Sequence, residues 1–516
     1  MCLIIDIELT VILVLLLLVI VIGFRGWQCF DLKISLPPGP TRLPIIGNLL
    51  DMKTSSEWIH YHQWCQENSS DLMYFSAGSL SVLVLDRLQP VVELLEKRSA
   101  LYSNSFSAWT NVCLRIGWNW SFPFRYEQWK EQRKIIHHEF HSKAVAQFHA
   151  QEIEAVRKML QCLLYSPESW YHDLTQFLGA LIMLTIYGIK VSSEDDPFIA
   201  VAKRATHTVS LATTPGRFFV EVIPLLKHLP TWLPFTRFKR SAVMWQADAI
   251  DSLLKPFAAT KEMMASGATI SSCASRGLQK LEGLADGHNK EEILQWALGS
   301  MSPGWSKHSM MLSALRSFFL EMTLHPNVQH KAQLELDNVL QHQRLPTFAD
   351  RSSLPYISAV VMEVLRHHPI APLGAPHATS ADDTYQGYHI PAGTIVLPNI
   401  WAILHDPVQY PDPFVFNPDR FTSMSPYDGI ARDPSAVFGF GRRICPGRHI
   451  ALDVLWITVA SILTVFTIDQ PKDEAGNPVR PLVRYEDKGV IIHPLPFECN
   501  IQPRGQKETL LIGHAE

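Results

Sequence analysis

The sequence predicts a mainly α-helical fold with a small β region, preceded by a single N-terminal transmembrane helix. Three observations lead there. Residues 9–24 form an almost unbroken apolar run, which with residues 3–8 approaches the roughly 20 residues a helix needs to cross a bilayer. Segments 89–97, 126–140, 143–164, 173–187, 241–264, 327–341 and 357–367 read as helices. Only short β-like pieces interrupt them, and a hydrophobic content of 47% with 18% charged residues supports a sizeable buried core.

Asp6 and Glu8 lie on one side of the apolar run, whereas Arg25, Lys33 and Arg42 follow it. The positive-inside tendency then places everything after this anchor (residues 1–25) in the cytosol. No basic leader or small-residue cleavage site accompanies the run, which argues against a cleaved signal peptide. The sequons at Asn68 and Asn119 would therefore lie on the wrong side for glycosylation. Residues 26–40 form a hinge ending in Leu36-Pro37-Pro38-Gly39-Pro40, a stretch that cannot be helical. One large domain over 41–516 follows. Segments 72–75 and 81–85 flank Ala77-Gly78-Ser79 and read as a hairpin, with further β-like pieces at 394–397 and 489–492.

The net charge of −4, with no long basic run, gives no reason to expect nucleic acid. Eight scattered cysteines contain no C-x-x-C pair and read as reduced thiols. One of them stands in a special loop, Phe438-Gly439-Phe440-Gly441-Arg442-Arg443-Ile444-Cys445-Pro446-Gly447. Phe438, Gly441, Arg443, Cys445 and Gly447 fit F-x-x-G-x-R-x-C-x-G. Chance gives such a match in a chain of this length with a probability on the order of 10⁻⁴. The glycines permit turns that a Cβ forbids and let a flat cofactor approach. Pro446 suits a first helical position, and an apolar helix follows through Leu452, Leu455, Val459 and Leu463. A helix N-terminus favours a thiolate at Cys445, the kind of axial ligand a haem iron needs for O–O cleavage. The plain alternative, a buried inert cysteine, does not account for the five-position match.

Two pairs carry weaker signals. Glu363 and Arg366 stand at i and i+3 on one helical face, but so do Glu154 and Arg157, which read as a solvated surface pair. Trp129 and Arg133 stand at i and i+4, projecting an indole N–H and a guanidinium from one face. Such donors suit carboxylates, although spacing alone fits an ordinary amphipathic helix equally well.

The cysteine loop resembles the haem-binding segment of cytochrome P-450 monooxygenases, and the resemblance runs from roughly Pro37 to the C-terminus. Residues 186–191 (IYGIKV) and 402–407 (AILHDP) resemble fungal microsomal members of the O-methylsterigmatocystin oxidoreductase group. The resemblance implies the cytochrome P-450 fold and a haem b (iron protoporphyrin IX) ligated by Cys445, with Phe438, Gly439 and Gly447 about it. It implies propionate contacts from Trp129, Arg133, His377 and Arg443, and a buried structural network of Glu363, Arg366 and Arg420. Lys130, Arg442 and Arg448 would flank the thiolate side and steer an acidic electron donor. It further implies an endoplasmic-reticulum membrane protein with its catalytic domain facing the cytosol. Electrons would come from NADPH through NADPH–cytochrome P-450 reductase, with cytochrome b5 as a further donor. The substrate pocket would use residues 108–122, 371–375 and 490–492. These are largely apolar or aromatic, so a lipophilic metabolite of secondary metabolism or detoxification is expected.

One segment departs from the resembled pattern. The family's central helix carries Ala/Gly-Gly-x-Asp/Glu-Thr, whose acid and alcohol pass protons to bound dioxygen. Here residues 302–312 read Ser-Pro-Gly-Trp-Ser-Lys-His-Ser-Met-Met-Leu, without Asp, Glu or Thr. Pro303-Gly304 should break or kink that helix. Three readings stay open. Ser306, His308 or Ser309 with water replaces the relay; or the protein is an isomerase, a dehydratase or inactive; or the segment is a reading-frame artefact. A one-nucleotide shift can read 304–309 as Gly-Gly-Ala-Asn-Thr-Val, which resequencing the transcript would decide.

Overall fold

A computed structural model describes residues 35–513, apart from 44–45, 53–54, 78–79, 105–125, 192–195, 203, 206–227, 231, 234–236, 284–286, 302–309, 423–433 and 488. The membrane anchor and the first part of the hinge lie outside the described residues. The end of the hinge is extended and pinned to the first strand, since Tyr74 N donates to Pro38 O at 2.8 Å. A Cβ on Gly39 would sit 1.8 Å from the Tyr74 carbonyl oxygen, so this contact requires glycine.

The fold is mainly helical, as expected. The hairpin forms as antiparallel β1 (Leu72–Ala77) and β2 (Leu80–Leu85), with Leu72 opposite Leu85. The short strands β3 (His377–Ala378), β4 (Asp383–Tyr385), β5 (Tyr388–Ile390) and β6 (Ile395–Pro398) follow. β6 runs parallel to β2 and antiparallel to β3, closing a four-stranded sheet in the order β1-β2-β6-β3. β4 and β5 form a separate pair, as do β7 (Phe466–Asp469) and β8 (Asn500–Pro503). Residues 489–492 form no strand; Ile492 N donates instead to Ile370 O at 2.9 Å.

Helices occupy Tyr126–Phe140, His149–Tyr165, Trp170–Tyr187, Arg237–Ala265, Pro326–Leu340 and Pro355–His367, close to the expected spans. The 89–97 segment divides into an α-helical turn, Leu88–Val91, and a π-helical one, Val92–Lys97. Helices Glu57–Glu67, Cys273–Leu281 and Gln506–Gly513 escape the periodicity reading. Gly287–Met301 and Met310–Leu324 flank the departing segment, whose expected break lies outside the described residues.

The largest apolar core gathers Trp170, Leu174, Phe318, Phe319, Val360, Val364, Trp456 and Leu463, joining four helices. Arg448–Val465 is its central member. Among the described residues it is also the one helix long and apolar enough to cross a membrane, yet it lies mostly inside the protein. Its apolar composition therefore reflects burial on all sides. Pro355–His367 is anchored from outside: Glu335 accepts from Tyr356 N at 2.8 Å and Ile357 N at 3.0 Å. That carboxylate satisfies two N–H groups the helix cannot satisfy itself, and complements its dipole. These anchored helices carry the site.

Candidate active site

The loop before Arg448–Val465 is folded on its own backbone. Cys445 N donates to Phe438 O at 2.7 Å, which closes the loop and presents the thiol. Gly441 (φ 57°) needs glycine twice over, because a Cβ there would lie 2.0 Å from the Leu95 carbonyl oxygen as well as in a left-handed backbone. Gly439 (φ 76°) is different: nothing lies within 4 Å of its missing Cβ, leaving open space beside the thiol loop. The helix starts at Arg448 with Gly447 as N-cap, so Pro446 lies outside it rather than at its first position.

Cys445 is half-buried. Burial pushes its thiol up, opposed by a hydrogen bond from Gly447 N–H and by the charges of Arg133 and Arg448. The expected helix-end stabilisation is thus present, but desolvation outweighs it in the free thiol. A bound metal ion removes that proton outright.

Positive and aromatic side chains assemble around the loop from distant parts of the chain. The Arg443 guanidinium lies 4.1 Å from the Trp129 ring centroid, in cation–π contact, and its Nε donates to Ser103 O at 2.9 Å. His377, buried at the start of β3, places Nδ1 2.9 Å from Tyr102 O. Burial, with Arg443 nearby, pushes His377 down to about 4. Arg133 is half-buried; desolvation lowers its guanidinium, opposed by the Cys445 thiolate and assisted by Arg448. Among the described residues no carboxylate pairs with Arg133. Trp129 and Arg443 are thus in contact, His377 lies near Arg443, and Arg133 lies near Cys445 and Arg448. Lys130 and Arg442 are exposed, while Arg448 Nη1 approaches Cys445 O at 3.4 Å. The carbonyls of Tyr102 and Ser103, which aim His377 and Arg443, were not legible in the sequence, since a backbone oxygen has no residue signature.

The carboxylate network is realised in full. Glu363 and Arg366 are wholly buried and paired at 2.7 and 2.9 Å, and Arg366 Nη1 also donates to Leu404 O at 3.0 Å. Arg420 Nε reaches Glu363 Oε1 at 3.2 Å, and Asn417 N donates to that oxygen at 2.8 Å. The look-alike pair does not form. Glu154 binds Lys158 at 2.8 Å on the surface instead, while the Arg157 Nε is buried without a hydrogen bond among the described residues.

Ser306, His308 and Ser309 lie outside the described residues, as does pocket segment 108–122. The third pocket segment, 490–492, is held beside the second by its backbone. Ile492 N donates to Ile370 O next to 371–375, and Ser313 Oγ donates to Ile492 O at 2.6 Å. Two surface clefts among the described residues, one lined by Leu88, Glu93, Tyr385 and Gln409 and the other by Arg240 and Met244, hold none of these residues.

The family profile described as Cytochrome P450 matches residues 37–500. The chain belongs to the cytochrome P450 family. Cytochrome P450 monooxygenase 98 of Postia placenta is 41% identical over 485 residues, covering 93% of this chain and 92% of that protein. Tryptamine 4-monooxygenase of Psilocybe cyanescens is 36% identical, covering 92% of this chain and 94% of its own length. A cytochrome P450 monooxygenase of Armillaria gallica is 37% identical, with 93% and 94% covered. The chain is accordingly a cytochrome P450 monooxygenase, and family membership implies haem. This P450's own residues fit that group: a half-buried cysteine just before a core helix, open space at Gly439, and a half-buried arginine with no carboxylate partner among the described residues.

Proposed function

We propose that this P450 is a membrane-anchored haem-thiolate monooxygenase. It inserts one atom of O2 into a lipophilic small molecule in fungal secondary metabolism or detoxification. Its finer kinship would be with the O-methylsterigmatocystin oxidoreductase group. The observation that carries the reading is the Cys445 thiol rising from a closed loop beside Trp129, Arg133, His377 and Arg443.

In this reading Cys445 Sγ holds the iron, and haem bound there supplies the oxygen-activating chemistry. Trp129, Arg133, His377 and Arg443 hold the propionates. His377 is kept neutral by burial in their absence, and a carboxylate brought to it offsets that cost. Phe438, Gly439 and Gly447 leave room for the ring, while Glu363, Arg366 and Arg420 keep the loop and its neighbours in place. Residues 108–122, 371–375 and 490–492 orient the substrate and exclude water. Ser306, His308 and Ser309 hold protons where the family has an acid and a threonine. Lys130, Arg442 and Arg448 face an acidic donor, NADPH–cytochrome P-450 reductase or cytochrome b5, on the cytosolic side of the endoplasmic reticulum.

The name of one relative, a tryptamine monooxygenase, supports aromatic amines as a first substrate set. Purified protein with reductase and NADPH, screened against such compounds and apolar terpenoids and polyketides, should give an oxygenated product together with NADPH consumption. Cys445→Ser should abolish the thiolate-type Soret band of the reduced carbon monoxide complex; retention of that band would assign the axial ligand elsewhere. A second reading, a haem-thiolate isomerase or dehydratase, is favoured by the missing acid and threonine in 302–312. Turnover without reductase or NADPH would establish it.

A further inference from the structure

Away from Cys445, three histidines close around one buried carboxylate. Glu321, near the end of Met310–Leu324, is 2% exposed. Its Oε1 lies 3.0 Å from His367 Nδ1 and 2.5 Å from His368 Nε2. Its Oε2 makes no hydrogen bond among the described residues. His325 Nδ1 stands 3.0 Å from Oε2 but is directed to the Glu321 backbone oxygen, at 3.1 Å.

The remaining contacts orient the rings. His367 Nε2 faces the Phe414 carbonyl oxygen at 3.2 Å, so both nitrogens of this imidazole face oxygens that only accept. Each nitrogen therefore needs a proton or a cation against its oxygen. Binding Nε2–H to a backbone carbonyl is how a metal-ligating histidine fixes its tautomer and directs its other nitrogen to the ion. His368 is stacked on Tyr485 at 4.3 Å between centroids, and the Tyr485 hydroxyl is bonded to Ser317 Oγ at 2.9 Å.

We infer that Glu321, His367 and His368 form a binding site for a divalent transition metal of the zinc class. The ligand atoms of Glu321, His367 and His368 all lie within 4.8 Å of one another. Zinc bonds of about 2.0–2.2 Å place neighbouring ligands about 3.3 Å apart, so the contacts to Glu321 Oε1, at 3.0 and 2.5 Å, need to open by about 0.3 and 0.8 Å. Binding releases the protons that otherwise sit between the rings and the carboxylate. The ion would clamp the end of Met310–Leu324 to the end of Pro355–His367. Imidazole and carboxylate donors select zinc, nickel or copper over magnesium or calcium. The site shares no residue with the haem assignment, so it stands or falls separately.

The test uses the full-length haem-loaded protein, incubated with zinc chloride, dialysed free of unbound metal and assayed for zinc and iron by plasma mass spectrometry. The expected result is one zinc per haem iron in the wild type. His367→Ala and His368→Ala should each lower zinc affinity at least about tenfold, with an unchanged Soret band reporting an intact fold. Zinc should also raise the temperature of haem loss in the wild type and leave both variants unmoved. Should a variant fail to hold haem, the milder His367→Gln takes its place, with weaker zinc retention expected. No retained zinc in the wild type, or equal retention in wild type and variants, would overturn the site and leave a hydrogen-bonded histidine–carboxylate network only.

Discussion

Removing the Glu363 carboxylate is the sharpest perturbation of this P450 outside the thiolate loop. Glu363 accepts from Arg366 Nε and Nη2, from Asn417 N and from Arg420 Nε, at 2.7, 2.9, 2.8 and 3.2 Å. In Glu363→Ala, Arg366 stays wholly buried with Leu404 O as its remaining acceptor among the described residues, at 3.0 Å, and the Tyr410 ring 5.4 Å away. Breaking a buried pair in this way costs about 3–5 kcal/mol, because the surviving charge is stranded. Against a total stability of about 5–15 kcal/mol that is a large fraction. Arg420 offers an internal contrast. It is 11% exposed and keeps the carbonyls of Pro411, Asp412 and Val415 when Glu363 is gone. Arg420→Ala should therefore cost less than Glu363→Ala or Arg366→Ala. The double variant Glu363→Met/Arg366→Leu should recover part of either single loss, since it strands no charge at that pair. Urea-induced loss of the Soret band, followed for all five proteins under one protocol, ranks them. If Glu363→Ala shifted the apparent stability by no more than about 1 kcal/mol, as a surface pair does, the reasoning would be refuted.

Three further outcomes can be read directly. Arg133→Ala should raise the rate of haem transfer to an acceptor protein, because the arginine is half-buried and without a carboxylate partner among the described residues; an unchanged rate would remove it from the propionate set. Gly441→Ala should give little haem-loaded protein, since the new Cβ meets the Leu95 oxygen at 2.0 Å and the left-handed backbone adds about 1–2 kcal/mol. Gly439→Ala, where space is open, should fold better but hold haem less well, and comparable yields and haem content for the two would contradict this. Asp350 is held down to about 2 chiefly by Arg344, at 2.6 Å, against some burial. A folded-state value below the ordinary 3.8 means the carboxylate stabilises above that pH and loses its contribution as the pH falls toward 2. Asp350→Asn should thus be less stable than wild type near neutrality, with the gap in thermal midpoint narrowing below about pH 4; a gap independent of pH would exclude the charge as its cause.

The sequence carried the thiolate loop because its chemistry is local: turn-forming glycines, a cysteine and an arginine must stand at fixed spacings to build it. It carried the helices wherever one face is apolar, and the β1–β2 hairpin through its turn residues. It carried less where partners come from afar. Glu363 with Arg366 and Glu154 with Arg157 share one spacing, yet the first is sealed in the core by Leu404 and Asn417 and the second is undone by Lys158. Nothing within four residues distinguishes them, because burial is set by what packs on the helix rather than by the helix itself. The same holds for 489–492, where β-like residues spend their backbone on Ile370 and Ser313 rather than a strand partner. The Glu321–His367–His368 cluster shows the limit most plainly. Its ligands are separated by 46 and 47 positions, and they meet only because two core helices end side by side. A motif reading finds chemistry written within one loop or one helical face, whereas a site assembled by packing becomes visible only when the helices are in place.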